Sequence, residues 1–345
     1  PDHENGIKIV RQKESVDSKR VFSRLNKDNE RSPYYEYRDT ATAKLSPFKP
    51  EWIKELRVVD NNNPDNPDVA YNNGHFLHQM TAFIGPVNFY WEIGGKKYSK
   101  EMNTGSSNYI TPFISHSFAS RDASKSAIII AVTFSSDAGR ARSELYSLGS
   151  SRIDSFVLNN RTPSQAISKL IHQILDDQCL THLNLKDLIE SKNIQLTAEE
   201  LLDSNTQKSS EDLKKLAEVL NVMPSIFELP SHTKDNEVEL KDRNTIDAYV
   251  YNSNILNPDY IINPLAGNKR LPLVNSFDFN IKSKTSQESS VLRTSLHSYI
   301  FNYGKESVNF WWSHDGVEHN QVIDPDDSIY IEPFIDHKFF NVADG

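Results

Sequence analysis

The chain has 345 residues with a formal net charge of -9, and 37% of its residues are hydrophobic and 25% charged. That length allows two or three domains with separate cores, and the acidic balance argues against general nucleic-acid binding, which needs clustered Lys and Arg. A single cysteine, Cys179, excludes an intrachain disulfide and a thiolate-rich zinc site. No apolar run approaches the roughly 20 residues of a membrane helix, and no signal segment opens the chain, so a soluble, cytoplasmic protein is expected. The first residue is Pro1 rather than Met, which leads us to expect a missing N-terminal piece.

Residues 1 to 145 read as β. "VNFYWEI" (87–93), "GG" and "KKYSKEM" (96–102) predict a hairpin, because two glycines supply the positive φ angles of a tight turn. "NYITPF" (108–113) predicts a short strand, and "AIIIAVTF" (127–134) a strand apolar on both faces. Short strands at this spacing predict a small β-barrel or jelly roll. From 155 to 235 the apolar period changes to three and four. "PSQAISKLIHQIL", "NLKDLIESKN", "TAEELL" and "SSEDLKKLAEVLNV" predict a helical domain. It resembles an eroded repressor-type helix-turn-helix, with "KKLAEVLNVMPSIFEL" as the closing helix. "PSHTKDNEVELKDRN" (230–244) reads as a polar linker. Residues 240 to 345 return to β and echo the first segment. "VNFYW" (87–91) matches "VNFWW" (308–312), and "TPFISH" (111–116) matches "EPFIDH" (332–337), both at an offset of 221.

The stretch "NNGHFLHQ" (72–79) places His75 and Gln79 four apart, with His78 between them. On a strand, alternation puts His75 and Gln79 on one face and His78 on the other. With His116 as a third donor, the set has the geometry of a non-haem iron facial triad, except that an amide replaces the usual carboxylate. Among 11 histidines a lone His-x3-Gln is also a common accident, and His116 could equally be a satisfied loop histidine.

"DNPDVAYNNGHFLHQ" (65–79), "NTGSSNYITPFISHSF" (103–118) and "SAIIIAVTF" (126–134) together resemble the cupin domain of the phosphonate-acting non-haem iron oxygenases. The family pattern is Asn-x-x-His, an acid or amide four residues on, then a distant histidine; Asn72, His75, Gln79 and His116 match it. The resemblance implies a mainly β chain with an α domain, two cupin (double-stranded β-helix) barrels in tandem around the helices. "GIKIV" (6–10) would be the first cupin strand. It implies Fe(II) as cofactor, 2-hydroxyethylphosphonate and O2 as partners, and no need for 2-oxoglutarate. Where some members carry a glutamate six before the last histidine, this chain has Ile110. A His-Gln-His triad without a competing glutamate resembles the methylphosphonate-forming branch.

The same resemblance implies phosphonate contacts from Asn72, Tyr37 and Arg31, with Arg24 and Arg38 competing for the arginine role and Ser126 as a minor contact. The family's active-site lysine aligns with Gln195, so a missing N-terminal domain or another subunit of a homo-oligomer would have to supply one. In the second cupin His337 echoes His116. The position of Gln79 falls on Ile300, or on Phe301 if His297 is aligned with His75, so that copy is expected to be structural. The alternatives are the dioxygenase outcome, hydroxymethylphosphonate and formate, and a cupin/helix-turn-helix regulator that senses a small ligand. The acidic charge and the degraded turn count against the regulator.

Overall fold

The computed structural model describes residues 2–134, 143–144, 146–149, 152, 162–192, 194–229, 237–245, 248–251, 258–269, 271 and 273–342. The chain forms two compact units, Pro1–Ala138 with Lys234–Gly345, and Gly139–Thr233. The first is built almost wholly of antiparallel strands, and the second carries helices. Most of the expected boundary between 145 and 155 lies outside the described residues. Among the described residues no helix is long and apolar enough to cross a membrane.

The first β half contains β1 (Ile7–Val10), α1 (Gln12–Asp17), β2 (Arg20–Leu25), β3 (Arg31–Asp39), β4 (Phe48–Glu55), β5 (His78–Ile84), β6 (Val87–Ile93), β7 (Lys96–Met102), β8 (Ser107–Ile110), β9 (Ser115–Ser120) and β10 (Ile128–Phe134). Gly94 and Gly95 take φ of 58° and 75°, as a two-residue hairpin turn requires, and β6 pairs with β7 from Ile93↔Lys96 onward. The apolar run at 128–134 is explained by its place: β10 is flanked by β4 and β5, so neither edge is free. Ile129 and Ala131 point from it into a core shared with Ile53, Phe83 and Ile110 of the same sheet. Val87, Phe89 and Phe118 close that core from the three-stranded sheet β7-β6-β9.

The second half contains β11 (Val238–Lys241), β12 (Tyr249–Val250), β13 (Tyr260–Pro264), β14 (Phe277–Ile281), β15 (Ser298–Phe301), β16 (Val308–His314), β17 (Val317–Ile323), β18 (Ser328–Ile331) and β19 (Asp336–Asn341). Two segments depart from the sequence reading. "GIKIV" is a strand, but β1 pairs with β18 of the second half (Ile7↔Ile331). The stretch read as a polar linker contains β11, which pairs with β8 of the first half (Val238↔Ile110). Each half thus completes a sheet edge of the other, which a reading of local periodicity has no means to detect. The exchange extends to side chains. Ala266 N–H donates to Ser107 Oγ at 2.8 Å, and Ala41 N–H donates to Ser328 Oγ at 2.9 Å. Ala266 packs with Tyr109 and Met80, while Ala41 packs with Tyr330 and Tyr299. The same contacts are made in both directions, as at a two-fold interface between identical subunits.

In the helical unit, α2 (Pro163–Asp177), α3 (His182–Ser191), α4 (Ala198–Leu202) and α5 (Ser210–Val219) start at Thr162, Thr181, Thr197 and Ser209. Each of these caps accepts a backbone N–H of the first turn through its side-chain hydroxyl. Ile171, Leu185, Leu201 and Leu216 form the centre of its core. The expected closing helix is two elements. Asn221 adopts φ of 51°, so α5 ends, and Pro224–Phe227 make a separate 3₁₀ turn. The first turn of α5 carries Glu211 and Asp212, unlike a helix that reads DNA.

Ser107→Ala and Ser328→Ala each remove the acceptor of a buried backbone N–H at equivalent places. Both should lose about 1–3 kcal/mol of stability, by similar amounts, in chemical or thermal unfolding.

Candidate metal centre

The strand β5 begins at His78, so His75 is not on it; residues 72 to 77 are an irregular segment. What holds that segment is Asn72. Its backbone N–H donates to His116 O at 3.0 Å, and its side-chain Oδ1 accepts from Gly74 N at 2.9 Å and from His116 N at 3.0 Å. Phe113 N–H donates to His75 O at 2.8 Å. Gly74 lies at φ 73° against the backbone of Phe113, where a Cβ would come within 2.6 Å of the carbonyl carbon. Only glycine fits there. The expectation that His75 and Gln79 share a face holds, but through this clamp rather than strand alternation.

Both imidazoles have a fixed tautomer. His75 Nδ1 lies 2.8 Å from Leu77 O, and His116 Nδ1 lies 2.8 Å from Ile114 O. A carbonyl can only accept, so each Nδ1 carries the proton and each Nε2 presents a lone pair. The rings stand edge to face with centroids 5.2 Å apart. Burial holds the His116 pKa down at about 4, so the ring is neutral around pH 7. Gln79 Oε1 sits 3.2 Å from His75 Nε2. These are two acceptors facing one another, an arrangement that a cation between them relieves. Two ligands at right angles around an ion with bonds of about 2.1 Å lie roughly 3 Å apart, which the pair matches. The donor set N, N, O suits iron(II). Among the described residues no group of three or more His, Cys, Asp or Glu is placed to hold a metal, consistent with an amide in the set.

The other expected residues are placed unevenly. Asn72 Nδ2 is 3.1 Å from His116 Nε2; with Oδ1 committed to two backbone amides, its NH2 is the end that faces the site. Ile110 is fully buried and is the cross-strand partner of Gln79. Tyr37 packs against the same apolar cluster, and burial pushes its phenol pKa well up. Arg31 is exposed and opposes Leu25 in the β2–β3 ladder. Arg38 is paired with Glu36 at 2.7 Å and stacks on Trp52. Arg24 lines a cavity of about 460 Å³ with Tyr37, Tyr35, Arg20 and Lys49. Arg20 and Lys49 are paired there with Asp39 and Glu51, each at 2.8 Å. Ser126 is not brought to the site. It adjoins Gly85 beyond the far end of β10 from Thr133, the residue opposite Gln79. At about 3.3 Å per residue the separation is roughly 23 Å. His78 turns away and bonds Tyr109 Oη through Nδ1 at 2.6 Å, stacked between Tyr109 and Phe134. Gln195 lies between α3 and α4 in the other unit.

The second half preserves the scaffold and the His116 position but carries other residues at the other two donor positions. His337 Nδ1 lies 2.9 Å from Ile335 O, as His116 does from Ile114. Phe334 N–H donates to Thr294 O, so Thr294 stands where His75 stands. His297 Nδ1 bonds Tyr330 Oη at 2.6 Å and stacks on that ring, which makes it the counterpart of His78, not His75. Ser298 opposes Ile331 as Gln79 opposes Ile110, so Ser298, rather than Ile300 or Phe301, takes the glutamine's place. The offset falls from 221 at β16 to 219 at β15 because the chain between them is two residues longer in the second half.

Residue reading missed Thr81. Its Oγ1 accepts from Gln79 Nε2 at 2.9 Å. The available signal was a second polar residue on the buried face of a strand, two places after Gln79.

No protein-family model matches the chain. It is 35% identical over 344 residues to a methylphosphonate synthase of Nitrosopumilus maritimus (strain SCM1), covering 98% of this chain and 72% of that protein. A solved structure of Streptomyces albus 2-hydroxyethylphosphonate dioxygenase, with 2-hydroxyethylphosphonate and Fe(II) bound, is similar at TM-score 0.83 and 31% identity. That match covers 99% of this chain and 74% of the other. A variant of 2-hydroxyethylphosphonate dioxygenase, 16% identical at TM-score 0.73, covers 99% of this chain and 78% of the other and shares the fold.

Because a metal binds only the folded site, Co(II), or Fe(II) without oxygen, should raise the Tm. The gain in stability should reach about 2.7 kcal/mol at a hundredfold excess over Kd. His116→Ala should abolish most of that shift, and His337→Ala should leave it intact.

Proposed function

The chain belongs to the family of methylphosphonate synthase and 2-hydroxyethylphosphonate dioxygenase, and from that premise we propose that it converts 2-hydroxyethylphosphonate and O2 to methylphosphonate and CO2 or bicarbonate. It is an iron(II)-dependent oxygenase, and the reaction balances without an external reductant. We read the β unit as two cupin barrels in tandem, the first catalytic and the second structural. His75, Gln79 and His116 are the proposed ligands.

The observation that carries the product assignment is Gln79 opposite a buried Ile110. Among the described residues the cross-strand neighbours of Gln79, Ile110 and Thr133, carry no carboxylate, so a metal held there would keep its full charge toward a phosphonate with close to two negative charges. Iron(II), when bound, supplies the centre that holds the substrate's oxygens and activates O2. The chain's own residues then position the substrate. Asn72 offers its NH2 to a phosphonate oxygen, and Tyr37 contributes its phenol. Arg24, which has no carboxylate partner among the described residues, is a better arginine for the phosphonate than Arg31. Ile110, with Ile114 and Trp91 packed on the same core, supports an apolar wall that keeps water from a one-carbon fragment while hydrogen passes to it.

The similarity to the Streptomyces albus dioxygenase favours one second reading, hydroxymethylphosphonate and formate from the same substrate. Phosphorus NMR of an aerobic incubation of the iron-loaded protein with 2-hydroxyethylphosphonate separates the two. Methylphosphonate is expected, and hydroxymethylphosphonate as the sole product would refute the assignment. Gln79→Glu and Ile110→Glu, made separately, should each raise the share of hydroxymethylphosphonate. Arg24→Gln should raise KM about tenfold or more, as loss of a charged hydrogen bond of about 1.5–3 kcal/mol implies, and Arg31→Gln should change it little.

A further inference from the structure

Gln79 is the one proposed ligand whose end group can present the wrong atom. Turned over, the amide would place NH2 3.2 Å from His75 Nε2 and donate to the lone pair that a metal needs. An imidazole with a fixed tautomer cannot fail in this way, and a carboxylate has two like oxygens. Resting on the reading of Gln79 as a ligand, we propose that Thr81 is a positioning residue. Its hydroxyl accepts from Gln79 Nε2 and keeps the amide oxygen turned toward His75 and the metal.

Three observations support this. The Gln79 Nε2 to Thr81 Oγ1 distance is 2.9 Å, and the bond is buried, with the two residues 5% and 2% exposed. Water therefore does not compete for the amide. Thr81 lies two residues along β5, on the same face as Gln79. In the second half, Ile300 occupies the register of Thr81, and Ser298 that of Gln79. The two members of the pair are lost together.

The test is a cycle of wild type, Thr81→Val, Gln79→Glu and the double variant, with Thr81→Ser as rescue. Co(II) affinity and the cobalt visible absorption are measured without oxygen, after circular dichroism confirms folding. Thr81→Val, an isosteric change, should weaken Co(II) binding about tenfold or more, the usual range for a partner that orients a ligand. Thr81→Ser should stay close to wild type. In the Gln79→Glu background Thr81→Val should cost about threefold or less, since a carboxylate has no wrong face. Equal losses in both backgrounds would mean that Thr81 matters only for packing, and no loss beside Gln79 would also overturn the proposal. Gln79→Ala that binds Co(II) as tightly as wild type would refute the ligand reading itself, whatever Thr81 does.

Discussion

The side chain of Asn72 is the contact on which the candidate site depends. His75 lies in a segment without regular structure, so no ladder of hydrogen bonds fixes it. Asn72 substitutes for one by accepting from Gly74 N and His116 N, which ties the two histidine-bearing segments through a single amide. Its NH2 is thereby left facing the lone pair of His116. The clamp works only because Gly74 permits the backbone of Phe113 to approach. The short motif Asn-x-Gly-His is therefore one mechanical unit, and its ends present donor and acceptor toward a common point.

Around that unit the two β halves are interdependent. β1 crosses to β18, and β11 crosses to β8, the strand that carries Ile110. The wall beside Gln79 is therefore finished by a strand that follows the helical unit in sequence. Halves that interlock in this way explain why the second keeps the shared scaffold although Thr294 and Ser298 stand in place of His75 and Gln79. Tyr330, Phe310 and Ile329 remain fully buried, and the His297–Tyr330 pair repeats His78–Tyr109. Packing has been retained where it also closes the first half, whereas Thr294 and Ser298 stand where His75 and Gln79 stand in the first half.

An amide in a metal site changes the charge balance and raises a problem of orientation. Replacing a carboxylate with glutamine leaves a more positive centre for an anionic substrate, at the cost of one weaker bond. It also means that the scaffold must choose which end of the amide points inward. Burial sharpens that choice, because an unbonded NH2 in a dry interior is expensive. The buried face of β5, which reads Gln79, Thr81, Phe83, grades from polar at the site to apolar in the core.

Much of this was legible in the residues. The alternation of β6 and β7 around two glycines, the doubly apolar β10, the apolar period of the helices and the internal echo are local or repetitive patterns, and such patterns survive in one dimension. The donors His75, Gln79 and His116 could be named because their spacing is carried in a short motif and one distant histidine. Only the tertiary structure decided which strands complete which sheet, since β1 and β11 pair across more than a hundred residues. It alone separated Ser126 from the site, because position along a paired strand is invisible without the register. It matched His297 to His78 because the shared tyrosine partner, not the sequence offset, defines equivalence. It also brought Thr81 to the glutamine, since a hydrogen bond between two buried side chains depends on where both are packed.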